Sequence, residues 1–380
     1  MGTKIAVGIA ALAASAVVVG CAGTPPTSDQ AASAAPEAVA EDANPYEPVH
    51  AELEGLEGEQ RRERLVELAL EEDPNLSAYG SNTDLPELAA TFSEEFGIPV
   101  EVYRARNPDV LRRVLEEAEA GDLRADLIDN SGYEMGVIAS EGLTVDYQGP
   151  VEDQLREGTD WDGWTANRFT VTSPIWNTEA LTDGPPTEFA DMADPRFSGE
   201  LLVEPSAFDW YMTLSSWFQD NGMTEAEFDE MFASIVGNAT VLEGNTNHIQ
   251  FLASGEYGIS AGTFNHLADE AIASGAPLAR LPAVGPIIAR PNGMGLTAET
   301  EYPASTLLLF EWLLIDAQPA LVEEYRLPAL DGIETNLLEG IDELITIDVD
   351  RLVAEGAEWQ ERYEQILLEA AGTAEAPEGG

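Results

Sequence analysis

Short segments with strand character alternate with helical segments along most of this chain. The strand segments contain apolar residues and are bounded by Gly, Pro or Asn. They cover residues 75–79, 100–103, 125–129, 200–204, 239–242 and 257–260. The helical segments have apolar residues at helical spacing and cover residues 59–70, 84–96, 108–118, 210–219, 248–254, 304–317, 319–325 and 350–371. Such alternation predicts an α/β fold in which largely parallel strands are flanked by helices.

The alternation occurs in two blocks, which predicts two lobes with a cleft between them. Each lobe is expected to be a mixed, largely parallel sheet covered by helices. Residues 48–173 form the first part of lobe 1, and residues 174–287 form lobe 2. Residues 288–371 return to lobe 1 and add the C-terminal helices, and residues 372–380 form a tail.

The N-terminal segment has the features of an export signal. Lys4 precedes an apolar run from Ile5 to Val19, and the run ends at Gly20-Cys21. The sequence Val18-Val19-Gly20-Cys21 resembles a bacterial lipobox, whose cysteine is lipidated and becomes the mature N-terminus. Residues 1–20 are therefore predicted to be a lipoprotein signal peptide, and acyl chains on Cys21 would hold the protein on the membrane. An ordinary signal peptide or an anchor helix is the alternative.

The single cysteine leaves no partner for a disulfide within the chain. Residues 21–47 are rich in Ala, Pro and Ser and have no apolar period, so we expect a tether between the lipid and the folded part. The predicted location is extracytoplasmic, either lipid-anchored to the outer face of the cell membrane or periplasmic.

Acidic residues dominate the charge of the chain. It has 71 Asp and Glu against 17 Lys and Arg, for a formal net charge of -54. Phosphates would be repelled, so nucleic acid and anionic lipid surfaces are excluded as partners. Acidic residues spread over the whole chain suggest adaptation to concentrated salt, where screening reduces self-repulsion. We expect a monomer.

Candidate ligand-binding residues of the first lobe follow two predicted strands. Ser81, Asn82 and Thr83 come after one strand and open a helix, and Ser131 and Gly132 do the same one unit later. Free N–H groups at a helix start, together with small hydroxyls, suit a carboxylate or another anion. The alternative is that Thr83 or Asp84 only caps its own helix.

Candidates of the second lobe and the hinge are aromatic, polar and charged side chains. Rings at Trp176, Trp210 and Tyr211 would stack on an organic ligand, or instead belong to the core. Arg290 would pair with a ligand anion or lock the hinge to a carboxylate. The remaining candidates are polar or aromatic residues near the same cleft: Asp209, Asn245, Thr246, Phe264, Asn265 and His266.

The order of several motifs resembles the family 1 extracellular solute-binding proteins, specifically their ferric-iron-type branch. The motifs are Tyr79-Gly80-Ser81-Asn82, Phe92 to Ile98, Val100-Glu101-Val102, Ala125-Asp126-Leu127-Ile128, Ala139 to Leu143, Pro174 to Thr178, Asp194 to Gly199, Ser254 to Ile259, Gly275-Ala276-Pro277 and Arg290 to Gly293. The resemblance covers nearly all of residues 50–330. It implies a type II periplasmic-binding-protein fold with hinge crossovers near Ser173 and Arg290. It also implies that an enclosed solute is delivered to an ABC permease with its ATPase.

Iron-type relatives carry two adjacent tyrosines after the strand that ends near residue 260, where this chain has Phe264-Asn265-His266. We therefore expect a small polar or anionic organic solute and no resident metal or cofactor. Two alternatives remain. A ferric or divalent metal would bind at His248, His266 and Asp209, and a secreted hydrolase would use Asp209 with Glu243. The chain contains no G-x-S-x-G, H-E-x-x-H or Walker motif, so no catalytic residue is predicted.

Overall fold

The computed structural model describes residues 44–374, apart from 152, 153, 157 and 182. The predicted signal peptide, Cys21 and the predicted tether up to residue 43 lie outside the described residues. Within the last part of the tether range, Tyr46 is fully buried and a helix begins at Glu47. Folded structure therefore starts slightly earlier than residue 48. The final helix also continues to Ala374, into the range predicted as a tail.

The strands are short except for two, which the sequence did not indicate. They are β1 (Leu76–Gly80), β2 (Val100–Arg104), β3 (Leu127–Ser131), β4 (Thr144–Val145), β5 (Asp160–Trp161), β6 (Trp164–Asn177), β7 (Leu201–Val203), β8 (Ala239–Val241), β9 (Ile259–Phe264), β10 (Leu278–Ala279), β11 (Ile287–Thr297), β12 (Leu327–Pro328) and β13 (Leu344–Thr346). Each predicted strand is present. The bounds agree to within about two residues, except that β9 ends about four residues later than expected.

The helices are α1 (Glu47–Leu53), α2 (Gly58–Glu71), α3 (Leu85–Phe96), α4 (Asn107–Glu119), α5 (Gly132–Ser140), α6 (Phe208–Asp220), α7 (Glu225–Gly237), α8 (Asn245–Ser254), α9 (Asn265–Ala273), α10 (Pro303–Ile315), α11 (Gln318–Glu323) and α12 (Val349–Ala374). Two 3₁₀ turns cover Phe189–Ala193 and Pro195–Phe197. Among the helices described, none is long and apolar enough to cross a membrane.

Two groups of parallel strands are joined by the two long strands. β1 pairs in parallel with β2 and β3, and β7 pairs in parallel with β8 and β9. β11 and β6 lie between these groups and pair with each other in antiparallel fashion, giving the order β2-β1-β3-β11-β6-β9-β7-β8. The predicted α/β architecture with mixed, largely parallel sheets is confirmed.

β6 passes from one group of strands to the other at a local irregularity. It pairs with β11 up to Thr172 and with β9 from Thr172 to Trp176, and the register shifts between Ser173 and Ile175. Pro174 lies at this shift, where a residue without an N–H cannot continue the ladder. Arg290 lies opposite Thr170 in the paired strand.

Each group of strands is covered by its own apolar cluster. Leu65, Phe92 and Leu307 belong to a cluster that joins α2, α3 and α10. Trp359 and Tyr363 of α12 belong to a second cluster and contact Tyr211 of α6. The long C-terminal helix therefore packs on α6 and α7, elements of the predicted second lobe, and also contacts α5.

Candidate ligand-binding cleft

A cleft with a volume of about 340 Å³ opens where strands of both parallel groups end. The carboxyl ends of such strands are the usual place for a ligand in an open α/β sheet. The lining comes from the β1–α3 turn, the start of α4, β6, the starts of α8 and α9, β11 and the segment after α11. Its residues are Ser81, Asn82, Thr83, Asn107, Arg168, Thr170, Gly244, Asn245, Thr246, Phe264, His266, Leu267, Arg290, Asn292 and Arg326.

Two arginines on the long strands are held in place by buried carboxylates. Nη1 and Nη2 of Arg168 donate to the two carboxylate oxygens of Asp129 at 2.8 and 2.9 Å. Arg290 contacts Asp209 through Nε at 2.5 Å and Nη2 at 2.7 Å. Each guanidinium has five N–H donors, so donors remain beyond those that the carboxylate takes.

A third arginine enters the cleft from the C-terminal part of the chain. Nε of Arg326 lies 2.9 Å from a carboxylate oxygen of Asp84 without the alignment of a hydrogen bond, and Nη2 donates to Thr83 at 3.2 Å. Burial lowers the pKa of Arg326; Asp84 opposes this shift, while the guanidinium of Arg168 adds to it. The positive charge of Arg326 is therefore incompletely compensated, and an anion in the cleft would stabilise it.

The cleft contrasts with the rest of the chain in charge. Acidic residues outnumber basic ones by 71 to 17 in the sequence. Three arginines line the cleft, whereas none of its described lining residues is Asp or Glu. The carboxylates that hold these arginines, Asp84, Asp129 and Asp209, are not part of this lining.

Helix N-termini add to the positive potential. α8 begins at Asn245 after Gly244, whose φ of 101° favours glycine, and no side chain caps its first turn. α9 begins at Asn265, and its first turn is also uncapped by a side chain. Uncapped N–H groups and the helix dipole both favour an anion at these ends. α3 likewise has no side-chain cap, and Asn82 instead accepts a hydrogen bond from the N–H of Asp84 at 3.1 Å.

Two stacked rings form one wall of the cleft. Phe264 and His266 lie with their centroids 5.6 Å apart and their planes 22° from parallel. The guanidinium of Arg290 lies 5.5 Å from the centroid of Phe264, within the range of a cation–π contact. The wall is therefore suited to the carbon part of an organic ligand.

His266 remains neutral over an unusually wide pH range. Burial lowers the pKa of His266 from 6.5 to about 3, and the charge of Arg326 contributes while Asp84 opposes the shift. In the unfolded chain this pKa returns to its ordinary value, so the unfolded state binds more protons between pH 3 and 6.5. Stability is lost as the pH falls through this window.

Replacing His266 with Gln should make stability less dependent on pH under acidic conditions. At pH 5 the slope of the unfolding free energy against pH should decrease by the contribution of about one bound proton. The reason is that this ring is protonated in the unfolded wild type and not in the folded wild type. Urea unfolding of both proteins between pH 4 and 7 measures the slope. Equal slopes would contradict the neutral state of His266.

A second cavity of about 320 Å³, here called the side chamber, adjoins the cleft. Asn107 and Arg290 line both spaces. The other lining residues of the side chamber are Pro108, Ser131, Tyr133, Glu134, Ser206, Phe208, Asp209 and Gln360.

The structure places about half of the predicted site residues in the cleft. They are Ser81, Asn82, Thr83, Asn245, Thr246, Phe264, His266 and Arg290. Ser131 and Asp209 line the side chamber. Asn265 accepts a hydrogen bond from Ser173 at 2.6 Å and lines a small separate cavity. Gly132 faces Pro291 and Val349, where a Cβ would lie only 3.0 Å from either side chain.

Three of the predicted aromatic site residues belong to the core. Trp176, Trp210 and Tyr211 are at most 4% exposed and share one apolar cluster. A Cβ on Gly262 would lie 2.6 Å from the ring of Trp210, so this ring packs directly on the backbone of β9. Their positions favour a packing role over ligand contact.

The residues of the metal alternative are each engaged elsewhere. The ring nitrogens of His248 contact Ser260 Oγ at 2.9 Å and the carbonyl of Leu242 at 2.7 Å. Asp209 is paired with Arg290, and His266 stacks on Phe264. Residues 44–374, in the part that is described, contain no group of three His, Cys, Asp or Glu side chains suited to a metal. Glu243, the partner of Asp209 in the hydrolase alternative, is exposed and outside both cavities.

Sequence reasoning missed Arg168 and Arg326, together with Asn107, Thr170 and Asn292. One signal was available for Arg168. It is the one charged residue in the sequence from Trp164 to Asn177. A charged residue in a strand that is otherwise uncharged is expected to be paired with an opposite charge. Arg326 follows no recognisable motif.

Residues 87–320 match a family model described as bacterial extracellular solute-binding protein. No curated protein sequence matches the chain significantly. Several solved structures of periplasmic binding proteins share its fold.

Three of these structures illustrate the likeness. Iron-bound HitA from Pseudomonas aeruginosa is 14% identical, has a TM-score of 0.64, and is matched over 76% of this chain and 99% of that chain. AfuA from Actinobacillus pleuropneumoniae, with exogenous fructose-6-phosphate bound, is 18% identical and has a TM-score of 0.64. The match covers 77% of this chain and 98% of that chain. MotA from A. tumefaciens B6, in complex with glucopine, is 15% identical and has a TM-score of 0.62. The match covers 77% of this chain and 100% of that chain. At these identities the likeness concerns the two-lobed fold.

Proposed function

Because the chain belongs to the bacterial extracellular solute-binding protein family, we propose that it captures a small organic anion in the cleft and delivers it to an ABC permease outside the cytoplasm. The observation that carries the choice of ligand is the charge of the cleft. Three arginines face it in a chain with a net charge of -54, and no described lining residue is acidic. Such a site attracts an anion against the repulsion of the surrounding surface.

The chemistry of the cleft suits an acid group attached to a carbon skeleton. Guanidinium groups donate paired hydrogen bonds to carboxylate or phosphate oxygens. The uncapped starts of α8 and α9 provide further N–H donors. The stacked pair of Phe264 and His266 offers an apolar surface for the rest of the molecule. Among the structural neighbours, AfuA holds fructose-6-phosphate, which is a ligand of this general kind.

We further propose that ligand binding closes the two lobes. The predicted lobes, residues 48–173 with 288–371 and residues 174–287, would rotate about β6 near Ser173 and β11 near Arg290. The cleft lining comes from both groups of elements, since Asn82 precedes α3 and Asn245 opens α8. A ligand that contacts both sides has a differential affinity for the closed form and so shifts the population toward it.

We also propose that Cys21 carries the lipid anchor. This residue lies outside the described part of the chain, and the proposal rests on the lipobox-like sequence. An anchored protein of this family would present its solute to the permease from the outer face of the membrane.

Replacing Arg326 with Gln should weaken anion binding by about 10- to 100-fold, which corresponds to the loss of a charged hydrogen bond. Its partner Asp84 is partly exposed, so the fold should tolerate the loss. Calorimetric titration with ethyl phosphate and with butyrate measures the effect.

Arg106→Gln is the matched control. It removes the same charge from an exposed side chain that pairs with Asp109 outside the cleft. Binding by Arg106→Gln should remain within about twofold of wild type, since exposed charges are largely screened. An equal loss in both variants would mean that only net charge matters and would contradict a specific anion site.

A further inference from the structure

We propose that the captured solute is an amino-bearing organic anion, whose acid group lies among Arg168, Arg290 and Arg326 and whose ammonium group lies in the side chamber beside Glu134. The inference rests on the proposed function, because it assigns the second end of the same ligand.

The cleft and the side chamber adjoin each other at two shared lining residues. Asn107 and Arg290 line both spaces. The guanidinium of Arg290 is fixed by Asp209, which itself lines the side chamber. A ligand of a few carbon atoms that binds an arginine in the cleft can therefore extend past Arg290 into the side chamber.

The side chamber has the opposite charge character from the cleft. Asp209 is balanced by Arg290, whereas Glu134 has no Lys or Arg partner among the described residues. Glu134 is only 8% exposed, and its described side-chain partner is the hydroxyl of Ser131. A buried carboxylate that accepts hydrogen bonds only from neutral groups, here Ser131 and its own backbone N–H, favours a cation that is brought in by the ligand.

The state of Glu134 agrees with this assignment. Burial raises the pKa of Glu134, while the hydroxyl of Ser131 and the charge of Arg290 lower it. Desolvation of this carboxyl group is thus not fully compensated by its neighbours. An ammonium group would favour the ionised carboxylate and donate hydrogen bonds to it.

Aromatic rings complete the chamber. Tyr133 and Phe208 lie edge to face with centroids 6.0 Å apart, and both line the chamber. Ring faces attract ammonium groups, and the carbon atoms next to the nitrogen gain apolar contact. A second acid group would instead meet Glu134 and Asp209 and be repelled.

Two pairs of probes that differ in one amino group test the inference by calorimetry. O-phosphoethanolamine is compared with ethyl phosphate, and 4-aminobutyrate with butyrate. In the wild type, the amino-bearing member of at least one pair should bind about tenfold more tightly or better, as expected for a charged hydrogen bond. This comparison needs no variant and stands even if a substitution impairs folding.

Glu134→Gln should reduce this preference to about twofold or less while ethyl phosphate still binds. Glu141→Gln, which removes an exposed carboxylate just after α5, is the matched control and should keep the preference. If neither amino-bearing probe binds more tightly than its amino-free partner, although the simple anions bind, the inference is wrong and the proposed function stands. If Glu134→Gln keeps the full preference, the assignment to the side chamber is wrong. If none of the four anions binds, the proposed anion site itself is contradicted.

Discussion

Replacing Arg168 with Ala is expected to lower the free energy of unfolding by about 3–5 kcal/mol, the usual cost of leaving a buried charge without its partner. Arg168 and Asp129 are 3% and 1% exposed, and two hydrogen bonds join them. Asp129 also accepts a hydrogen bond from Asn167 at 3.2 Å, which cannot neutralise its charge. The carboxylate of Asp129 on β3 would then remain as a buried charge without its partner.

Urea unfolding of wild type and Arg168→Ala measures the loss, and a double variant separates its causes. Arg168→Ala combined with Asp129→Ala should recover a large part of the stability, because no charge is then left unpaired. Arg106→Ala, at an exposed position, should change stability by no more than about 0.5 kcal/mol. A double variant no more stable than Arg168→Ala would contradict the role of the unpaired carboxylate.

Replacing Trp210 with Ala is expected to destabilise the protein by about 3–5 kcal/mol, as for other large aromatic residues truncated in a core. The ring is 4% exposed and lies 5.8 Å from Phe189 and 5.9 Å from Phe232, centroid to centroid. It also covers the backbone at Gly262. The cavity left by its removal is surrounded by sheet and helix, which restricts relaxation.

Trp217→Ala, on the same helix α6, is the control. Trp217 is only partly buried and lines an outer pocket, so its truncation should cost clearly less than that of Trp210. Thermal unfolding compares the two variants. A Trp210→Ala protein as stable as wild type, with anion binding lost, would restore the interpretation of this ring as a ligand contact.

The sequence predicted the fold well because the relevant signals are local. α3 illustrates this: Pro86 lies in its first turn, and Gly97 ends it with a φ of 73°. α7 was missed although Thr224 and Glu227 form a capping box, a recognised helix-start signal. The long strands β6 and β11 were missed because they are buried on both sides and show little alternation.

The site was predictable only in part, because its chemistry depends on distant contacts. The position of Ser81 and Asn82 beside the cleft could be predicted, because a helix start that follows a strand can be read locally. The sequence did not distinguish a ligand contact from a core position for Trp210. An aromatic residue at the start of a helix has the same neighbouring sequence in both cases. Arg326 lines the cleft together with its hydrogen-bond partner Thr83, which is 243 residues away in the sequence. No local sequence pattern predicts a contact between residues so far apart.

Calorimetric titration of the wild type with small probes that differ in charge tests the central claim most directly. The probes are ethyl phosphate, butyrate, neutral fructose and 1,4-diaminobutane, at constant pH and two salt concentrations. An anion-binding cleft predicts that at least one of the two anions binds with a stoichiometry of one. Its binding should persist at the higher salt concentration, because buried ion pairs are screened much less than exposed charges, and the neutral and cationic probes should not bind. Tight binding of 1,4-diaminobutane or fructose, with neither anion bound, would contradict the account.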